Sequence, residues 1–194
     1  MRKGVAATIL AASMMWGAAA QAAPDSLQDW NGLWNDMGLY LDNPGAQGAW
    51  DVLAQKNHVT PAEAKTAYTK KRSNDMAAMD ISGNAIRIFP AAGSVGNDRD
   101  ALLKPVVEYE FKGTIETKKG NKTKTWSKFE AKDKNARYPR LMLLPVSRDE
   151  GPLVHFHYRY GKESFEELAA MKNWGPTMVA DDSTDDAIAK YITK

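Results

Sequence analysis

The sequence predicts a mainly β fold with flanking helices, arranged as a small antiparallel barrel or half-barrel. Three observations predict it. Between Met76 and Tyr160 apolar and polar residues alternate in short runs separated by turn residues, the signature of half-buried strands. Helical spacing is confined to the stretches before and after that region. The chain has 194 residues, of which 43% are hydrophobic, enough for one domain with a sizeable core. An open α+β sheet and a sandwich are compatible with the same pattern.

The first residues stand apart from that fold. Arg2 and Lys3 give a charged start, Val5 to Ala20 is an apolar run, and Ala20-Gln21-Ala22 is a small-x-small cleavage pattern. Residues 1–22 are therefore expected to be a Sec signal peptide and 23–194 a single domain in the periplasm. The apolar run is shorter than the roughly 20 residues a spanning helix needs, so no membrane insertion is expected after cleavage. Losing Arg2 and Lys3 takes the formal charge from +2 to zero. An overall basic bias towards nucleic acid or anionic lipid is then missing. Without cysteine, neither a disulfide nor a thiolate metal site is available.

In the mature part, Leu27 to Asp42 has an irregular apolar pattern that suits a helix or a short strand. Asn43-Pro44-Gly45 is a turn, and Ala46, Trp50, Leu53 and Ala54 recur at helical spacing up to Lys56. Thr60-Pro61-Ala62-Glu63 carries an N-cap, a proline in the first turn and a glutamate three residues after the cap; this helix is expected to reach about Arg72. Met79-Asp80-Ile81 and Ala85 to Phe89 alternate around Ser82-Gly83-Asn84, a hairpin whose turn needs positive φ. Pro90 to Lys104 reads as loop. Val106 to Phe111, Thr114 to Thr117 and Thr125 to Phe129 continue an antiparallel meander. Lys118, Lys119, Lys122 and Lys124 crowd its turn and read as a solvated tip. Leu141 to Leu144 is apolar throughout, a strand buried on both faces; two closing helices are expected around Leu168 and from Asp185 to Ile192. The five tryptophans from Trp30 to Trp174 can each anchor part of one core.

The chemistry concentrates in Val154-His155-Phe156-His157-Tyr158-Arg159-Tyr160-Gly161. On a strand, residues two apart share a face, so His155 and His157 point the same way and supply two nitrogen donors. Zinc takes three or four ligands, so a third must come from elsewhere. A pair of hydrogen-bonded surface or barrel-lining histidines has the same spacing. His58 lies alone in a connection, where a solvated side chain is the expectation. Glu166-Glu167 and Asp185-Asp186 suit the first turns of helices. With no Gly-x-Ser-x-Gly elbow and no cysteine nucleophile, an enzyme is not expected.

Trp30-Asn31-Gly32-Leu33-Trp34, Asp80-Ile81-Ser82-Gly83-Asn84, Tyr109-Glu110-Phe111-Lys112-Gly113, Phe129-Glu130-Ala131-Lys132-Asp133, His155-Phe156-His157 with Gly161, and Asn173-Trp174 before Pro176-Thr177 fall in one order along the mature chain. In that order they resemble the ZinT (YodA) family. The resemblance implies a lipocalin-like, calycin-type antiparallel barrel with added helices, a periplasmic location, and zinc or cadmium held by the residues at His155 and His157. It also implies the solute-binding component of a zinc importer as partner, within zinc homeostasis or uptake. Family members take a third histidine from an S-D-H segment on the preceding strand. Here that segment reads Pro145-Val146-Ser147-Arg148, and the third histidine is missing. The expectation is an altered zinc site, with Asp149 or Glu150 as substitutes and Arg148 opposing a cation. The alternative is a calycin-like carrier or interaction protein that has lost the metal and holds a small hydrophobic ligand in the barrel mouth.

Overall fold

The computed structural model describes residues 25–91, 106–148 and 151–194. The expected signal peptide and most of the Pro90–Lys104 loop lie outside these residues, as do Asp149 and Glu150. Eight antiparallel strands close into a barrel in sequence order. They are β1 (Gly32–Asp36), β2 (Met76–Ser82), β3 (Ala85–Pro90), β4 (Val107–Lys119), β5 (Lys122–Ala131), β6 (Arg140–Leu143), β7 (His155–Gly161) and β8 (Thr177–Ala180). Helices α1 (Gly48–Asn57) and α2 (Pro61–Arg72) interrupt the chain between β1 and β2; α3 (Phe165–Ala170) and α4 (Asp185–Thr193) flank β8.

Local chemistry sets the helix ends. Thr60 accepts from the Glu63 amide while the Glu63 carboxylate accepts from the Thr60 amide, so the expected capping box is complete and α2 runs to Arg72. Ser164 and Glu167 repeat the device at α3. Gly83 sits at φ 61° in the β2–β3 turn, and Gly113 at φ 84° beside a register shift between Phe111 and Thr114 that bends the long β4.

The stretch left open between helix and strand is all three of turn, strand and turn: 3-10 turns at Leu27–Trp30 and Met37–Tyr40 bracket β1. The sequence pattern showed no strand at Thr177–Ala180, yet β8 pairs with both β7 and β1 and closes the barrel. Closure therefore depends on two short strands at opposite ends of the sequence, β1 and β8.

The barrel interior is filled. Trp34, Met79, Ile81, Ile86, Tyr109, Phe129, Leu141, Leu143, Phe156, Tyr158 and Met178 form one cluster. Met79, Ile86, Leu141, Tyr158 and Met178 have no accessible surface, so no water-sized void touches them. This is the packing expected of eight strands, whose interior is just wide enough for side chains. The small hydrophobic ligand of the alternative reading finds no room among these residues. Trp30 and Leu27 add to the same core, and Trp30 Nε1 donates to the Leu144 carbonyl at 2.9 Å.

The tryptophans do not share one core. Trp50 packs with α4 and the turn before α1, and Trp126 lies with Met142, Leu144 and Leu168 on the outer side of β5 and β6. Residues Leu141 to Leu144 are buried on both faces, as expected, because alternate side chains enter the barrel core and the α3 cluster. Among the described residues no helix is long and apolar enough to cross a membrane.

Candidate metal centre

Strand β7 alternates strictly. Phe156 and Tyr158 enter the barrel core with Tyr160 packed against it. His155, His157 and Arg159 consequently project from the outer face. There they meet the helices rather than the lumen: Arg159 Nη1 donates to the Leu168 and Ala169 carbonyls at the end of α3, and the Tyr191 ring of α4 lies 4.5 Å from that of His155.

The two imidazoles face each other nearly edge to face, with centroids 5.4 Å apart and planes at 81°. Each has its Nδ1 committed to oxygen. His155 Nδ1–H donates to the Leu153 carbonyl at 2.9 Å. His157 Nδ1 lies 3.0 Å from Thr177 Oγ1, its cross-strand partner on β8, and the Thr177 hydroxyl donates to the Gly175 carbonyl at 3.3 Å. That ordering makes His157 Nδ1 a donor and puts its lone pair on Nε2, towards which the Tyr191 hydroxyl donates at 3.4 Å. Arg72, at the end of α2, hydrogen-bonds to Tyr191 in turn. Burial first, then His155, Lys124 and Arg72, pull the His157 pKa down from 6.5 to about 3. His157 is thus neutral at neutral pH, the protonation state a metal requires.

Both side chains therefore have the form of metal-bound histidines, in which the ring nitrogen away from the ion donates to an oxygen that fixes tautomer and orientation. Ser147 gives a further sign of fit. It pairs directly with His155 through two backbone hydrogen bonds, which places its side chain on the same face, and its Oγ is buried without a hydrogen-bond partner.

The donor set is incomplete. No group of three or more His, Cys, Asp or Glu gathers among the described residues. Asp149 and Glu150 fall outside those residues. Arg148 is exposed and reaches towards the Asp29 carbonyl at 3.5 Å. His58 is exposed at the left-handed C-terminal cap of α1.

Sequence reasoning did not place Thr177, Tyr191 and Arg72 at the site: they come from three other elements, Tyr191 and Arg72 carry no motif, and the Asn173-Trp174 and Pro176-Thr177 segment gives no sign that the Thr177 hydroxyl meets His157. It also took the four lysines of the β4–β5 turn as a solvated tip. Lys118, Lys122 and Lys124 are exposed, in keeping with a solvated tip, and Lys118 and Lys124 also line a cleft of about 950 Å³ that His157 and Tyr191 line too.

The fold and site together define a lipocalin-like barrel whose lumen is packed and whose polar site, a backed pair of histidines, lies on its outer wall. Residues 14–194 match the ZinT (YodA) family, described as periplasmic, lipocalin-like and concerned with zinc recruitment, and the chain belongs to that family. It is 28% identical over 172 residues to the zinc-binding protein AdcA of Streptococcus pyogenes serotype M3 and 27% identical to that of serotype M1. In both comparisons the match covers 86% of this chain and 32% of AdcA, so the chain spans about a third of the length of these relatives. The crystal structure of the Zn(II)-bound ZinT-like domain of Streptococcus pneumoniae AdcA superposes with a TM-score of 0.68 at 22% identity, covering 89% of this chain and 93% of that domain. The Zn(II)-bound whole AdcA gives 0.69 at 23% identity, covering 89% of this chain and 36% of AdcA. At those identities the likeness is one of fold.

Proposed function

We propose that this protein is a periplasmic zinc-binding member of its family, without enzymatic activity, that holds the ion at His155 and His157 in an altered site lacking the family's third histidine. The observation that carries this reading is the matched backing of the two rings: each Nδ1 is turned to a protein oxygen, so each lone pair is on Nε2, on the same strand face. Two imidazoles and oxygen donors suit zinc, and cadmium can occupy the same positions with longer bonds. The remaining positions fall to Asp149 or Glu150, to water held by Ser147 Oγ, or to an outside ligand. Membership of the family and the likeness to AdcA support a role in zinc homeostasis or uptake, with delivery to the solute-binding component of an importer.

Elemental analysis and zinc titration of the chain from Ala23, beside the His155→Ala/His157→Ala double variant, test it. Stoichiometric zinc that disappears in the variant supports the reading. A parent protein that binds no zinc, or a variant that binds it equally, refutes it.

A further inference from the structure

The cleft that His157 lines has the wrong charge for a bare divalent cation. Lys71, Arg72, Lys118, Lys124, Arg159 and Lys172 line it, against Glu116 and Glu166. These cations come from separate elements: the end of α2, the β4–β5 hairpin, β7 and the segment after α3. The two guanidinium groups are held by neutral partners. Arg72 lies 3.5 Å above the Tyr68 ring and bonds to Tyr191, and Arg159 lies 5.0 Å from the Trp126 ring while donating to two carbonyls. Each leaves a buried Nε without a hydrogen-bond partner. A concave surface with this excess of positive charge focuses field that attracts anions and repels a metal ion. At the same time two histidines leave zinc short of donors, and zinc accepts oxygen readily.

We infer that the site takes its metal together with a small organic dicarboxylate, which lies in the cleft among these cations and supplies oxygen ligands to the ion beside His157. The inference rests on the zinc reading above and adds the co-ligand. One carboxylate meets the metal while the other meets lysines contributed by a second element, so a dicarboxylate fits the spread of charge better than a single compact oxyanion. Trp126 and Met171 supply apolar wall for the carbon chain between them.

The test is calorimetric zinc titration at equal ionic strength in succinate, sulfate or chloride, corrected for the weak binding of zinc by succinate itself. It is run on the parent and on a Lys124→Ala/Lys172→Ala variant, both positions being exposed, with near-UV circular dichroism confirming that the variant is folded. The expected result is zinc affinity about tenfold or more higher in succinate than in chloride for the parent, a gain lost in the variant. In chloride the variant should bind zinc at least as tightly as the parent, because two repelling charges are gone. Those opposite signs in two salts are not produced by a merely structural role of the lysines. Equal affinity in all three salts overturns the inference and leaves the zinc reading standing. Sulfate as effective as succinate overturns the dicarboxylate assignment. No zinc binding in any salt overturns both.

Discussion

Replacing Thr177 by valine removes one hydroxyl from a fully buried position while keeping the branched shape that suits strand β8. In the parent, that hydroxyl accepts from His157 Nδ1 at 3.0 Å and passes a hydrogen bond on to the Gly175 carbonyl. Without it, the Nδ1–H of a mostly buried ring loses its acceptor, which costs about 1–3 kcal/mol of folding stability. Metal affinity suffers separately, because the ring is then free to rotate or to change tautomer. Loss of such an outer partner lowers affinity by roughly 10–100-fold, or about 1.4–2.8 kcal/mol. Thr177→Ser keeps the oxygen and should recover most of both quantities. The assays are urea unfolding of the metal-free protein and calorimetric zinc titration. A folded Thr177→Val protein that binds zinc as tightly as the parent would show that the β8 hydroxyl does not orient His157, and the argument from matched backing would fail with it.

The acid limb of stability should carry the mark of His157. Its pKa is about 3 in the folded state against 6.5 unfolded, so the unfolded chain binds more protons between those values and stability present near pH 7 is lost as pH falls, about 3 kcal/mol by pH 4. Asp36 has the opposite sign: burial raises it from 3.8 to about 6, so its contribution declines as pH rises through that interval. Urea unfolding of His157→Gln should therefore lose less stability than the parent between pH 6 and 4; an unchanged acid limb contradicts the burial argument. In the core, Phe156→Ala removes a ring packed edge-on to Trp34 at 4.9 Å and should cost about 3–5 kcal/mol in chemical denaturation, with a cost under 1 kcal/mol telling against a filled barrel. Thr60→Ala breaks an exposed capping box and should cost about 1 kcal/mol, measured in the same way, while zinc affinity stays unchanged.

What was legible in the sequence was what local chemistry decides. The α2 boundaries follow from Thr60, Pro61 and Glu63, and the β2–β3 hairpin from a turn at φ 61° that glycine adopts without strain. The common face of His155 and His157 follows from the twofold period of a strand. Which face that would be did not follow, since β7 carries an aromatic or a polar group at every position from His155 to Tyr160, and only pairing with β6 and β8 decides that Phe156 and Tyr158 go inwards. Strand β8 was illegible for a related reason: four residues, Thr177-Met178-Val179-Ala180, are too few for a pattern, and they are a strand because β1 and β7 stand on either side. Thr177 and Tyr191 reach His157 from 20 and 34 residues further along the chain, and no spacing rule connects them.

The position of the site follows from the packing of the barrel. Trp34, Phe129, Phe156 and Tyr158 pack the lumen and bring only one oxygen among them, the Tyr158 hydroxyl, buried without a hydrogen-bond partner, whereas the paired nitrogen donors stand on the outer wall. On an open wall two histidines would be solvated and mobile. Here α4 brings Tyr191 over them, β8 brings Thr177 beneath, and the end of α2 brings Arg72 behind Tyr191. The strand that closes the barrel is thus also the strand that orients His157, and the helix that covers the pair packs on that same strand through Val179, Ile188 and Ile192. Barrel closure and imidazole geometry share residues, and a perturbation of β8 reaches the site without touching a histidine.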